Sequence, residues 1–226
     1  MKQGLVLVEG QTEERFVNEC LRPYLEEKEL VLVPTKVTTS RPIGAAHHKG
    51  GVTSYGKVRG DLRRLLGNKG ASVVTTLLDY YALPMDLGMA DRSTRPAPRS
   101  RVEHVEAAWA TEVRDRRFVP HIVLHELEAW VFADPAQLAP HMFNDDEAAV
   151  AAIAAIAREH ATPEDIDDGR DTAPSRRLKR AFRPYQKTLH GVEALKAIGV
   201  EGICRACPHA AAWLDLLVAV AHAPSP

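Results

Sequence analysis

Four carboxylates in this 226-residue chain stand where a divalent cation would find them: Glu9, Asp79, Glu126 and Glu128. Each lies at or beside the end of a short apolar run, in Val8-Glu9-Gly10, Leu78-Asp79-Tyr80 and His125-Glu126-Leu127-Glu128. A phosphodiester is anionic and resists attack. A hard ion such as Mg2+ or Mn2+, held by oxygen ligands, neutralises it and lowers the pKa of bound water. The four acids are therefore the candidate metal ligands. Glu9, Asp79 and Glu128, together with Lys187, are the candidate catalytic residues. Lys187 closes the word Pro184-Tyr185-Gln186-Lys187. It either stabilises charge in a transition state or docks its own segment by simple attraction. Acids at strand ends also have a plainer origin, because loops are polar and helix N-termini attract negative charge.

The elements that must position these groups alternate. Leu5 to Val8, Leu30 to Val37, Val73 to Leu78 and Phe118 to Leu124 are apolar or β-branched runs and predict strands. Thr12 to Lys28, Tyr55 to Leu66 and Arg101 to Arg114 have helical spacing. Thr12 is the expected cap of the first helix, with Glu13 and Glu14 suited to its positive end. The order β-α-β-α-β-α-β predicts an α/β fold, a mostly parallel sheet sandwiched by helices. Ligands of such sheets sit beyond the carboxyl ends of the strands, where the four acids fall. After Asp134 the character changes: an alanine-rich helix (Asp145 to His160), a polar loop (Thr162 to Ser175), then helix to the apolar face of Trp213 to Val220. The expected division is 1–135 for the metal-binding part and 136–226 for a helical extension packed on it.

Charge is segregated although the net value is only -1. Six basic residues and no acid lie between Arg176 and Lys187, and six basic residues with one acid, Asp61, between Arg41 and Arg64. Separated basic and acidic surfaces fit a groove for phosphate, and equally fit solvated helix faces. The loop His47-His48-Lys49-Gly50-Gly51 is either an anion cradle or an ordinary surface loop. Cys204-Arg205-Ala206-Cys207 has no second pair, so a closed zinc site would have to recruit His209 and the distant Cys20. Two unligated thiols are the simpler expectation. The zinc-protease word H-E-x-x-H is absent, since position 129 is Ala; His121 and His125 share a strand pattern and read as structural. There is no P-loop and no G-x-S-x-G. No apolar run approaches the length of a membrane span, and Leu5 to Val8 is too short for a signal-peptide core, so the expected location is the cytoplasm.

Val8-Glu9-Gly10-Gln11-Thr12-Glu13-Glu14 resembles the first motif of the Toprim superfamily, in which a Glu ends the first strand and a Gly turns tightly into the helix. The second Toprim motif is Asp-x-Asp. Here it reads Asp79-Tyr80-Tyr81, with Tyr81 in place of the second carboxylate. Together with Leu78 to Pro84, His125 to Phe132, Tyr185-Gln186-Lys187, Cys207-Pro208 and Trp213-Leu214, these words resemble a bacterial Toprim-like family of unknown function along nearly the full chain. That group is similar to the RloB-like proteins and to the overcoming-lysogenization-defect nucleases. The resemblance implies a Mg2+- or Mn2+-dependent nuclease, or a nuclease-like effector, acting on DNA or RNA in phage defence beside an ABC- or AAA-type ATPase. The rival expectation is a degenerate module that senses nucleic acid or nucleotide. A phosphoryl-transfer or ligase-like activity is a third option that the fold permits.

Overall fold

The structure is a computed structural model that describes residues 1–38, 54–83, 97–167, 169 and 171–223. The loop His47 to Gly51, with Arg41, lies outside the described residues, as does 84–96. Strands β1 (Lys2–Val8), β2 (Leu30–Lys36) and β3 (Ala71–Asp79) match the expected apolar runs. They pair in parallel with two short strands, β4 (Phe118–Val119) and β5 (Ile122–Val123), in the order β2-β1-β3-β4, with β5 also on β3. The fold is α/β, with a helical C-terminal part.

Period-2 alternation divides the core between the two faces of the sheet. Leu5 and Leu7 of β1 and Val74 and Leu78 of β3 pack with α3 (Tyr55–Gly67) and α4 (Pro98–Val113), through Val58, Leu62, Val102 and Trp109. Val6, Val8, Val73 and Leu77 face the opposite way. They pack with α1 (Gln11–Phe16), α2 (Arg22–Glu26) and the later helices α5 (Glu147–Arg158), α6 (Pro174–Ala181), α7 (Val192–Ala206) and α8 (Pro208–His222). Buried side chains from both sides of position 135 thus share one cluster.

Three local expectations are corrected. The fourth strand does not run unbroken from Phe118 to Leu124. Pro120 lacks an N–H for the ladder, and the strand splits around it. Hydroxyls of β3 take up the lost pairing: Thr75 Oγ1 donates to the Val119 carbonyl (2.5 Å), and Thr76 Oγ1 donates to the His121 carbonyl (2.8 Å) and lies 2.9 Å from the His121 N–H. The first helix is likewise not uniform. A π turn, Val17–Leu21, separates α1 from α2 just before Pro23, which has no N–H to donate to residue 19. Finally, Thr12 is not its cap. The helix starts at Gln11, and Thr12 is buried within the first turn.

Candidate functional site

Strands β1 and β3 deliver Glu9 and Asp79 to the same carboxyl edge of the sheet, because Val8 pairs with Leu77. The backbone between β5 and the following 3-10 turn (Leu127–Phe132) delivers Glu126 and Glu128. His125, immediately before them, has a left-handed backbone (φ 67). Such a conformation is unfavourable for a side-chain-bearing residue and marks a place where the chain is held to a purpose. Asp79 Oδ1 ties this segment to β3 by accepting the Leu127 N–H at 2.9 Å. Asp79, Glu126 and Glu128 are each 3% exposed, and Glu9 is half-buried.

Lys187 joins them from the C-terminal part of the chain. It stands in a short π turn (Lys187–Gly191) that leads into α7. Its Nζ lies 2.9 and 3.0 Å from the two oxygens of Glu128, only the second at a hydrogen-bonding angle, and 3.5 Å from Glu126 Oε1. Burial works against the Lys187 charge, but Glu128, Asp79 and Glu126 outweigh it, so its pKa rises. Glu126 is held further by the N-terminus of α6. Ser175 donates its backbone N–H at 2.8 Å and its hydroxyl at 2.9 Å to the two carboxylate oxygens. Tyr185 and Gly191 close the inner wall in tight contact: a Cβ on Gly191 would sit 2.6 Å from the Tyr185 hydroxyl oxygen.

Glu13 is a fifth acid, one that its place in a first helical turn assigns only to the helix dipole. It is 7% exposed, and its Oε2 accepts the Gly10 N–H at 2.9 Å. Gly10 is the extended N-cap of α1 (φ -151), and the chain bends at Glu9 and Gly10 into the helix, with the entry pinned by Glu13. The signal is present in the spacing: Glu13 is three residues beyond Gly10, the distance at which a carboxylate reaches back to a helix start.

The acids feel one another. Burial, then the Glu13 charge, pushes Glu9 up to about 7, while Lys187 and the Asp79 backbone N–H pull it down. Burial also raises Glu128 to about 7 against the pull of Lys187. Asp79 goes up through burial and then Glu13, Glu9 and Glu128. Tyr81, at the position of the missing carboxylate, is 53% exposed and is pushed to about 12 mainly by burial of its ring. Two carboxylate oxygens, Glu9 Oε2 and Glu128 Oε1, are buried without a hydrogen-bond donor. Glu128 Oε1 is still met by the Lys187 ammonium, so Glu9 Oε2 is the open hard oxygen donor of the kind Mg2+ or Mn2+ takes. Among the described residues no three of these acids bring oxygens within 4.8 Å of one another, and a cation would have to draw them together.

The surroundings are uneven. In the basic run after residue 175, Arg176, Lys179, Arg180 and Arg183 are exposed, while Arg177 donates to the Thr172 carbonyl (2.7 Å). On α3, Arg59 pairs with Glu112 (3.2 Å) and Arg64 with Asp61 (2.7 Å). A cleft of about 550 Å³ lies elsewhere, lined by Glu19, Cys20, Tyr24, Lys196, Gly199 and Arg205, and contains none of the acids described above. The three cysteines form no disulfide, and burial lifts Cys20 to about 12 and Cys204 to about 11, and Cys207 also rises. No single helix among the described residues is long and apolar enough to cross a membrane.

Fold and site define an α/β protein with a buried carboxylate cluster, closed by one lysine, at the carboxyl edge of a parallel sheet. The chain belongs to the family described as a domain of unknown function, DUF4276, whose profile matches residues 8–218. No curated protein and no solved structure matches it.

Proposed function

We propose that this protein is a Toprim-like, metal-dependent nuclease or nuclease-like effector that cleaves nucleic-acid phosphodiesters. The observation that carries the reading is the gathering of Glu9, Glu13, Asp79, Glu126 and Glu128 around the Lys187 ammonium. Glu9, Glu13, Asp79 and Glu128 would hold Mg2+ or Mn2+. The bound cation would supply charge neutralisation at the phosphate.

The chain's own groups have definable tasks. Glu9, whose Oε2 is buried without a donor, would turn that oxygen to the cation. Lys187 already carries its charge beside Glu128 and is placed to meet developing negative charge on a phosphoryl oxygen. Helix α6 starts on Glu126 through Ser175 and carries Arg176, Lys179 and Arg180 outward, a track for the phosphates that flank the cut. The resemblance to overcoming-lysogenization-defect nucleases adds an ABC- or AAA-type ATPase partner and a role in phage defence to the proposal.

Tyr81 favours a second reading, a module that binds nucleic acid or nucleotide without cutting it. Where a second Asp would stand, this chain has an exposed phenol. The test is incubation with supercoiled plasmid, single-stranded DNA and RNA, with Mg2+, Mn2+ or EDTA. Metal-dependent cleavage that falls roughly 100-fold or more in Asp79→Asn supports the nuclease. Metal and nucleic-acid binding without any cleavage supports the module.

A further inference from the structure

A second polar cluster lies on the same side of β3 as the acids but at the opposite end of β5. Glu106 of α4, His121 just before β5 and His209 in the first turn of α8 bring one ligand atom each within 4.8 Å of one another. Glu106 Oε1 accepts the Ile122 N–H at 2.7 Å, and its Oε2 lies 3.0 Å from His209 Nε2. His121 Nδ1 is 3.8 Å from Glu106 Oε1. The His121 side chain is 1% exposed, and neither of its ring nitrogens has a hydrogen-bond partner. Nδ1 of His209 is likewise buried and unpartnered.

A buried imidazole with both nitrogens idle needs an explanation, since desolvated polar groups are almost always satisfied. Its ring is not free to seek a partner. The indole of Trp213 covers one face (centroids 4.2 Å apart, planes 5° apart), and His209 stacks against it at 4.7 Å and 26°. Trp213 is fixed in turn by its Nε1–H, which donates to Thr75 Oγ1 at 2.8 Å. The backbone of His209 is fixed as well: its N–H and that of Ala210 donate to Glu164 at 3.0 Å each. Two imidazoles and one carboxylate, one ring held by stacking and the other on a fixed backbone, are what a borderline transition metal prefers, whereas Mg2+ avoids nitrogen.

We propose that Glu106, His121 and His209 form a zinc site that clamps α4 and α8 to the β3–β5 edge, separate from the carboxylate cluster. Tetrahedral ligands at about 2.0–2.1 Å from zinc stand roughly 3.3 Å apart. The two carboxylate–imidazole separations, 3.0 Å to Oε2 and 3.8 Å to Oε1, lie either side of that value, one on each oxygen of Glu106. Because the imidazoles are stacked, their in-plane lone pairs do not yet converge. Zinc binding therefore turns the His209 ring out of the stack while its capped backbone stays in place. Glu106, with 15% of its side chain exposed, leaves an edge open for a water as fourth ligand. The site recruits His209 away from the Cys204–Cys207 pair, the partners sequence spacing would have offered it.

The experiment is zinc binding by calorimetry to metal-stripped full-length protein, with metal content checked after dialysis. It uses wild type, Glu106→Gln, His209→Gln and, as the acid-cluster control, Asp79→Asn. The expected result is one zinc per wild-type chain at micromolar affinity or tighter, weakened roughly 100-fold in Glu106→Gln and His209→Gln and unchanged in Asp79→Asn. Cobalt in place of zinc should give the visible absorption of a four-coordinate ion with nitrogen ligands in wild type, a readout that does not depend on any variant folding. Wild-type protein that takes up no zinc would overturn the proposal. So would zinc bound equally by His209→Gln, or lost only in Asp79→Asn, or a cobalt spectrum of six oxygen ligands.

Discussion

The two ends of β5 pose the same physical problem and answer it differently. At its carboxyl end, Asp79, Glu126 and Glu128 are buried together, and Lys187 crosses from the C-terminal helices to compensate them. At its amino end, His121 is buried as deeply, but rings cover its faces and the nearest carboxylate oxygen, Glu106 Oε1, stands 3.8 Å from Nδ1, beyond hydrogen-bonding reach. Buried charge is tolerated when a partner is close, and buried neutral nitrogen when something accepts or donates to it. The acidic end, though it leaves Glu9 Oε2 without a donor, meets part of its condition from within the chain, through a residue far away in sequence. The imidazole end does not, and that difference is why the zinc inference attaches there.

Removing the compensation should have the largest effect. Lys187→Met leaves Glu126 and Glu128 buried without their cation, at a cost of about 2–4 kcal/mol in urea unfolding at pH 8, reduced from the fully buried case because Lys187 is 35% exposed. The loss should shrink at pH 5, where Glu128 takes up a proton instead. An unchanged urea midpoint at pH 8 would mean that the acidic end does not depend on its lysine.

The imidazole end should respond more mildly. Trp213→Phe keeps an aromatic face on His121 but deletes the hydrogen bond to Thr75, for an expected loss of about 1 kcal/mol. A loss several times larger would show that the indole carries more of that end than one hydrogen bond.

pH separates the two ends further. Glu9 and Glu128 titrate near 7 in the folded chain and near 4.5 when unfolded, so the folded state binds more protons between those values. Stability of the metal-free protein should therefore fall as pH rises from about 4.5 to about 7 and level off above. Glu128→Gln should flatten part of that slope, and His121→Gln should leave it in place. Thermal melts across the range check both.

The smallest effect is expected at the surface. Arg176→Ala and Lys179→Ala, both exposed on α6, should leave stability nearly unchanged and weaken nucleic-acid binding in every sequence alike. Each should lower the slope of log affinity against log salt by about one. Salt-independent binding would remove α6 from the phosphate track.

Much of this arrangement is legible in the order of the amino acids alone. Leu5 to Val8 is a continuous apolar run and Val73 to Leu78 an apolar and β-branched one, as strands buried on both faces read, so the parallel sheet and the placement of Glu9 and Asp79 at its edge follow from them. Lys187 is legible as a candidate, but not its ion pairs, which join residues 59 and 61 positions apart. The split of the fourth strand is written in Pro120, yet the rescue by Thr75 and Thr76 needs the third dimension. Glu13 is legible as an acid suited to the positive end of its helix, which it caps, but not its burial beside the other acids, because a charged residue in a first turn is ordinarily exposed. The His121–His209 pairing has no local signal at all, since nothing in an 88-residue separation indicates that two rings will stack.

The central claim is that the carboxylates of the sheet edge hold a hard divalent cation. Its most direct test is a thermal melt at pH 8 with and without Mg2+ or Mn2+, on wild type and Asp79→Asn. An ion that binds only the folded state must raise the melting temperature in proportion to its saturation. The account predicts a clear metal-induced rise in wild type, its loss in Asp79→Asn, and a metal-free variant as stable as wild type or more so, because one buried charge is gone. An equal response to metal in both proteins would contradict it.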